Sequence, residues 1–309
     1  MRQKKIQRLI VLLMAGCLTG SAWGYEETVV TNGGALSGTI TIAGKVPTPK
    51  GYNLTTLPDP IYCGRISDGR GWRLLQPFNV GEKEAFRQVV VYLEEIASGK
   101  PFGEFKPPRI DAVDCRFVPF VNLVRDRHDV VVVNMDPAMH DVQAYETSHL
   151  GPRVLFNVPL PISKRYPNEA GLSAHVHKHY EGVPITQDVK MTKGRRIFTM
   201  QCGFHAYMES WAMVMDHPYY ALTDDQGHYE LTDIPPGTYA VTIWHPYLRE
   251  TYRQTVTIPP RGNVTADLRA EAPTGRLYAN QMIDDAYVRY TITEDVQSSI
   301  LPTLEKQTY

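Results

Sequence analysis

The chain has 309 residues, of which 43% are hydrophobic and 21% charged, an ordinary balance for a globular protein of about two domains. Its 32 basic and 33 acidic side chains nearly cancel, which excludes the basic excess of a nucleic-acid binder. Gly and Pro number 23 each and Tyr 18, a composition that favours turns and strands over long helices.

Residues 1–24 read as an export signal. Arg2, Lys4, Lys5 and Arg8 form a basic leader, Leu9 to Ala15 a short apolar run, and Ala22-Trp23-Gly24 offers small residues for cleavage. The apolar run is too short to span a bilayer, and no later segment reads as transmembrane. Met14-Ala15-Gly16-Cys17 also resembles a lipobox. Two readings follow: cleavage after Gly24, or a lipid anchor at Cys17 on an outer membrane. Both place the protein in the periplasm or outside the cell. Removing residues 1–24 takes away four basic groups and no acidic one, which leaves a formal charge of −5. Export also permits disulfides. The mature chain keeps Cys63, Cys115 and Cys202, and an odd count leaves one thiol over within the molecule.

Residues 36–46 alternate and are rich in β-branched side chains, so they read as a strand. A Pro-, Gly- and Asp-rich connection follows to about Gly81. Residues 87–94 read as a buried strand, 98–108 as a loop, and 116–124 and 129–134 as two more strands. The region 147–190 reads as irregular, with many turn residues. Residues 194–202 alternate again and run into Cys202-Gly203-Phe204-His205-Ala206-Tyr207-Met208. Beyond Met208, short strands are separated by turns at Asp225-Gln226-Gly227, Pro235-Pro236-Gly237 and Pro259-Pro260. From about Ala270 the pattern fades into an extended tail, 270–309. The fold class expected is all-β, with two sandwiches.

Cys202, His205 and Met208 put a thiol, an imidazole and a thioether at intervals of three. A Cys and two His in a trigonal set, with a weak axial Met, are the ligands of blue copper. The trio lacks one His. His140 follows the strand 129–134 and a turn marked by Asn134, Asp136 and Pro137, so it can reach the loop after Cys202. The metal set expected is His140, Cys202, His205 and Met208. In it Cys202 binds as a thiolate. Each His binds through one ring nitrogen and needs a partner for the other, and Met208 is the long axial ligand. Phe204 and Tyr207 would form an apolar rim for a docking partner. The competing reading is a buried thiol, a turn-capping His and a core Met.

This pattern resembles the cupredoxins, the family of plastocyanin and amicyanin. The resemblance rests on the Asn134–His140 turn, on Cys202 at the end of a later strand, and on the C-x2-H-x2-M spacing, which is the short form of amicyanin. It covers roughly residues 110–216. It implies a Greek-key sandwich that carries one electron on one type 1 copper. It also implies a redox partner such as a c-type cytochrome or another exported oxidoreductase. The gap between His140 and Cys202 is longer than in small cupredoxins and holds His175, His177 and His179. Either the mouth of the site is covered, or a different His is the first ligand.

With Cys202 given to copper, Cys63 and Cys115 are left to pair or to stand as two buried thiols. A bridge would pin the loop 47–81 to the sandwich and stabilise it by about 2–4 kcal/mol. His175, His177 and His179 would share one face of a strand and form a second metal site. Their plainer reading is a solvated polar loop.

The run from Thr223 to Tyr239, T-D-x-x-G-x-Y-x-L-x-x-I-P-P-G-T-Y, resembles the carboxypeptidase regulatory-like domain, a small prealbumin-like β-sandwich. Its opening strands correspond to Ser37–Val46 and Gln88–Leu93, far upstream. The resemblance therefore implies a cupredoxin-like unit, 101–216, inserted in or following a sandwich built from 30–100 and 217–268. The whole order resembles a set of exported cupredoxin-like proteins in which a C-x-F-x-P strand precedes the His-bearing turn, as Cys115 to Pro119 does here. Trp244 and His245 read as a core Trp beside a surface His. No paired carboxylates, activated nucleophile or phosphate loop stands out, so no enzyme and no catalytic residue is expected. The rivals to electron transfer are copper binding for delivery or tolerance, and a metal-free carbohydrate-binding or adhesive sandwich.

Overall fold

Runs of Val, Ile and Tyr at period two set most of the elements. The computed structural model describes residues 24–47, 50–64, 72–75, 77–147, 152–166 and 178–274. Residues 1–23 of the expected export signal, with Cys17, and His149, His175, His177 and the residues beyond 274 lie outside the described residues. In chain order the first strands are β1 (Glu26–Glu27), β2 (Gly34–Ala43), β3 (Lys50–Asn53), β4 (Trp72–Leu75), β5 (Val90–Leu93), β6 (Ser98–Gly99) and β7 (Arg109–Val113). Next come β8 (Arg116–Val118), β9 (Val121–Arg125), β10 (Asp129–Asn134), β11 (His140–Glu146), β12 (Arg153–Leu160), β13 (Ile185–Asp188) and β14 (Ile197–Gln201). The last are β15 (Glu209–Met215), β16 (Tyr220–Leu222), β17 (His228–Ile234), β18 (Gly237–Trp244), β19 (Tyr252–Ile258), β20 (Asn263–Thr265) and β21 (Leu268–Glu271). One short α-helix, α1 (Pro60–Cys63), lies between β3 and β4. No helix among the described residues is long and apolar enough to cross a membrane.

The strands form two sandwiches. The first stacks the sheet β13-β10-β7-β8 on the sheet β12-β11-β14-β15-β9. Their shared core includes Ile110, Val130 and Val132 from one sheet and Val142, Ala144, Phe198 and Met200 from the other. The second sandwich stacks β16-β5-β18-β19 on β17-β2-β20, with β21 also paired to β2. Leu36, Ile40, Val91, Leu93, Val241 and Ile243 fill its core. Gly227, at φ 75°, turns β16 back toward β17 in a conformation that suits glycine. Phe120 of the first sandwich stacks on Tyr247 of the second, ring centroids 6.1 Å apart. A smaller apolar cluster of Val90, Val121, Met213 and Met215 fills the seam.

Three segments differ from the expectation. Residues 116–124 are not one strand. Pro119 has no N–H to continue a ladder, and β8 and β9 lie in different sheets. Residues 147–190 are not wholly irregular, for they contain β12 and β13. Pro159 and the surrounding turn residues hid this, yet β12 is an outer strand, where a proline is tolerated. The connection 47–81 holds the hairpin β3–β4 and helix α1. Leu54 and Cys63 from this connection are fully buried in the first core, so it is a covering layer.

Candidate metal centre

Period two places the inward side chains. On β11, His140, Val142 and Ala144 are all fully buried. On β14, Phe198 and Met200 point inward, and Cys202 keeps their parity one step beyond the strand, 2% exposed. β11 and β14 are neighbours, with Gln143 opposite Gln201. His140 therefore lies beside the loop that follows Cys202. Two local devices aim these residues. The Asn134 side chain accepts a hydrogen bond from the Asp136 N–H at 2.9 Å and donates to the Ala138 carbonyl at 2.9 Å, which closes the turn before His140. The Cys202 N–H donates to the Met208 carbonyl at 3.2 Å, and the Met208 N–H to the His205 carbonyl at 2.8 Å. This folds the loop back on itself. Gly203 lets the loop lie close to β11, since a Cβ there would sit 2.2 Å from Gln143 Nε2.

Three of the four expected ligands converge. His140 Nδ1 lies 3.2 Å from His205 Nδ1. Cys202 Sγ lies 3.8 Å from the first and 3.7 Å from the second. The point equidistant from these atoms is about 2.1 Å from each, within the roughly 2.0–2.3 Å at which imidazole nitrogen and thiolate bind zinc-sized ions. The far nitrogens are already engaged. His140 Nε2 is 3.0 Å from Asp136 Oδ2, and His205 Nε2 is 3.0 Å from the Pro58 carbonyl. Both oxygens accept, so both histidines hold a proton on Nε2, and Nδ1 is the nitrogen that each turns toward the other ring and toward sulfur. Met208 is buried, 1% exposed, on the loop closed between Cys202 and His205.

The electrostatics follow from that convergence. Burial opposes a charge on His140, but hydrogen bonds to Asp136 and Cys202 prevail and raise its ring to about 9. Burial also works against a Cys202 thiolate. The two imidazoles beside the sulfur prevail and lower the thiol to about 7. Burial resists ionisation of Asp136 as well, yet His140 and the Cys115 and Asp114 N–H groups hold its carboxyl below the usual range.

A covering segment shuts the site from solvent. Cys63 and Cys115 form a disulfide, with Cα atoms 5.8 Å apart, and Cys63 Sγ is 3.6 Å from His205 Nε2. Tyr62 on α1 donates to Asp136 Oδ1 at 3.0 Å. His140 and His205 are both fully buried. The long His140–Cys202 gap is not what covers the site among the described residues. The cover comes from residues 50–64, which lie upstream of both histidines. Cys202 is the free cysteine among the described residues.

Two further expectations need correction. Phe204 is exposed, but Tyr207 is 2% exposed and contributes no rim. Its ring lies under Tyr52, centroids 5.7 Å apart, with the Arg73 guanidinium 5.5 Å from the ring centre. His245 is a core residue, 2% exposed. It packs on Phe78 and Phe86 with centroids 5.2 and 5.0 Å away, because it lies just past β18 at the seam between the sandwiches. Of the cluster His175, His177 and His179, His179 is among the described residues. Its Nε2 is 3.4 Å from Asp114 Oδ1, and its Nδ1 donates to the Met135 carbonyl at 3.1 Å. Sequence reasoning read Asp136 only as a turn residue. Its spacing of four before His140 was the available signal.

No family model matches the chain, and no curated protein matches it. Solved structures similar to part of it include a purple cupredoxin from Nitrosopumilus maritimus, at 14% identity and a TM-score of 0.25, covering 35% of this chain and 99% of that one. A copper-containing nitrite reductase from Thermus scotoductus SA-01 matches at 18% identity and a TM-score of 0.24, covering 40% of this chain and 26% of that one. A reduced auracyanin from Roseiflexus castenholzii matches at 9% identity and a TM-score of 0.23, covering 37% of this chain and 99% of that one. The chain thus spans about a quarter of the nitrite reductase.

Proposed function

We propose that this is an exported copper protein that holds one type 1 copper at His140, Cys202, His205 and Met208 and carries single electrons. One observation carries the reading: two Nδ1 atoms and a sulfur meet around a point about 2.1 Å from each. Soft sulfur with two imidazoles suits copper. Copper bound there would supply a one-electron couple. The chain's own residues supply the rest. Asp136 and the Pro58 carbonyl fix both tautomers, and the β11–β14 ladder holds the donors at set distances. Burial of all four side chains keeps water out. A closed site offers no open position for substrate, which favours a carrier over an enzyme. It also favours a retained metal over delivery, since release would require the covering segment to lift. The electron would pass to a redox partner such as a c-type cytochrome, in the periplasm or outside the cell. The second sandwich, in this reading a carboxypeptidase regulatory-like module, serves as the frame.

The test is the visible spectrum of the mature protein with Cu(II), beside Cys202→Ser. An intense thiolate-to-copper band that vanishes in the variant is the expected result. A folded protein that retains no copper, or binds it without that band, overturns the reading and leaves the metal-free binding sandwich as its successor.

A further inference from the structure

Asp136 is where the ligand histidine, the disulfide and the covering segment meet. It is fully buried, and both oxygens are occupied. Oδ1 accepts from the Asp114 N–H at 2.7 Å and from the Tyr62 hydroxyl at 3.0 Å. Oδ2 accepts from the Cys115 N–H at 2.8 Å and faces His140 Nε2 at 3.0 Å. Every one of these neighbours donates, so the group is a carboxylate with no room for its own proton. The residues 58–63 thus reach both histidines: His205 through the Pro58 carbonyl at 3.0 Å, and His140 through Tyr62 and Asp136.

We infer that Asp136 is a positioning residue that sets the reduction potential of the centre, and that Tyr62 on the covering segment moderates it. The inference rests on the copper reading above. A carboxylate on the far nitrogen of a ligand imidazole fixes its orientation and raises its basicity. A more basic imidazole stabilises the more highly charged, oxidised metal, and the dry surroundings leave that effect poorly screened. Asp136 therefore lowers the potential. Each further donor draws charge from the carboxylate. The Tyr62 hydroxyl is the donor that comes from the covering segment, held in place because the next residue, Cys63, is bridged to Cys115. Removing it leaves more charge for His140 and lowers the potential further.

The two substitutions have opposite signs. Asp136→Asn raises the potential of the copper-loaded protein, and Tyr62→Phe lowers it, both read by protein-film voltammetry. General loosening of the site would move both the same way or bleach the charge-transfer band. Metal-free protein gives a second readout. In its proton–nitrogen spectrum, recorded at a pH high enough that the ring carries a single proton, that proton sits on Nε2 of His140, and Asp136→Asn shifts part of the population to Nδ1. If the wild type shows the copper band and the two potentials move together or not at all, the inference is overturned while the copper reading stands. If the wild type shows no band, the copper reading falls. The inference about potential then falls with it, and the tautomer shift reports Asp136's hold on His140 alone. Should Asp136→Asn not fold, Tyr62→Phe decides: a lower potential supports the inference, and an unchanged or higher one overturns it.

Discussion

Replacing both Cys63 and Cys115 by Ala tests whether the covering segment is a structural part of the site. The bridge closes a span of 52 residues. The chain-entropy relation gives about 4 kcal/mol for a loop of that length. Both half-cystines are fully buried, so their removal also leaves small voids that cost about 1 kcal/mol more in total. The expected loss is about 5 kcal/mol, confined to the first sandwich. At about 2–4 °C per kcal/mol for a unit of this size, its transition falls by about 10–20 °C in calorimetry of the metal-free protein. A second effect accompanies it. Cys202, 2% exposed beneath the cover, resists alkylation in the wild type and reacts at least tenfold faster in the variant. A midpoint within about 2 °C of wild type, or a Cys202 that stays equally protected, would refute the idea that the bridge pins a lid over the centre.

Three other outcomes are expected. Glu146 is fully buried, with Arg195 at 2.5 Å, Arg153 at 2.8 Å and the Thr192 N–H at 2.8 Å. The hydrogen bonds from Arg153 hold its carboxyl down at about 2. A depressed acid contributes stability that is present above the unfolded value near 4.5 and is lost as pH falls toward 2. Arg153 is half exposed, so the contribution is discounted to about 2 kcal/mol. Glu146→Gln should remove that acid-dependent part in denaturant titrations at pH 7 and pH 3. A loss equal at both would count against it. Burial pushes His245 down to about 3, so its ring signals in NMR should not titrate between pH 8 and pH 4. Its contribution to stability is lost as pH falls from about 6.5 toward 3, because the unfolded chain takes up the proton first. A midpoint near 6.5 would place the ring in solvent. Gly38→Ala puts a Cβ 2.0 Å from the Ala266 carbonyl oxygen. It should destabilise the second sandwich by about 2–3 kcal/mol and leave the copper band unchanged. Loss of the band would mean the sandwiches depend on each other more than their separate cores imply.

What the sequence determined by itself was local. Alternation along 194–202 marked a strand running into Cys202, and the valine run 129–134 marked another, because periodicity and β-branched runs are local signals. The turn at Asn134, Asp136 and Pro137 put His140 within reach of the loop after Cys202, and the short spacing bound His205 and Met208 to Cys202. The odd cysteine count singled out one thiol. The tertiary structure alone decided what surrounds them. Pro58, Tyr62 and Cys63 sit on a stretch with no periodicity, and their partners are 147, 74 and 142 residues away at His205, Asp136 and His205. Contacts at such separations leave no trace in a local pattern. They form because the first sandwich leaves the outer nitrogens of His140 and His205 open, and a segment tied to Cys115 can close over them. The break at Pro119 and the paired strand at 153–160 were likewise set by which sheet edge was free. Sequence named the candidate donors; packing chose their partners, and with them which nitrogen of each ring faces inward.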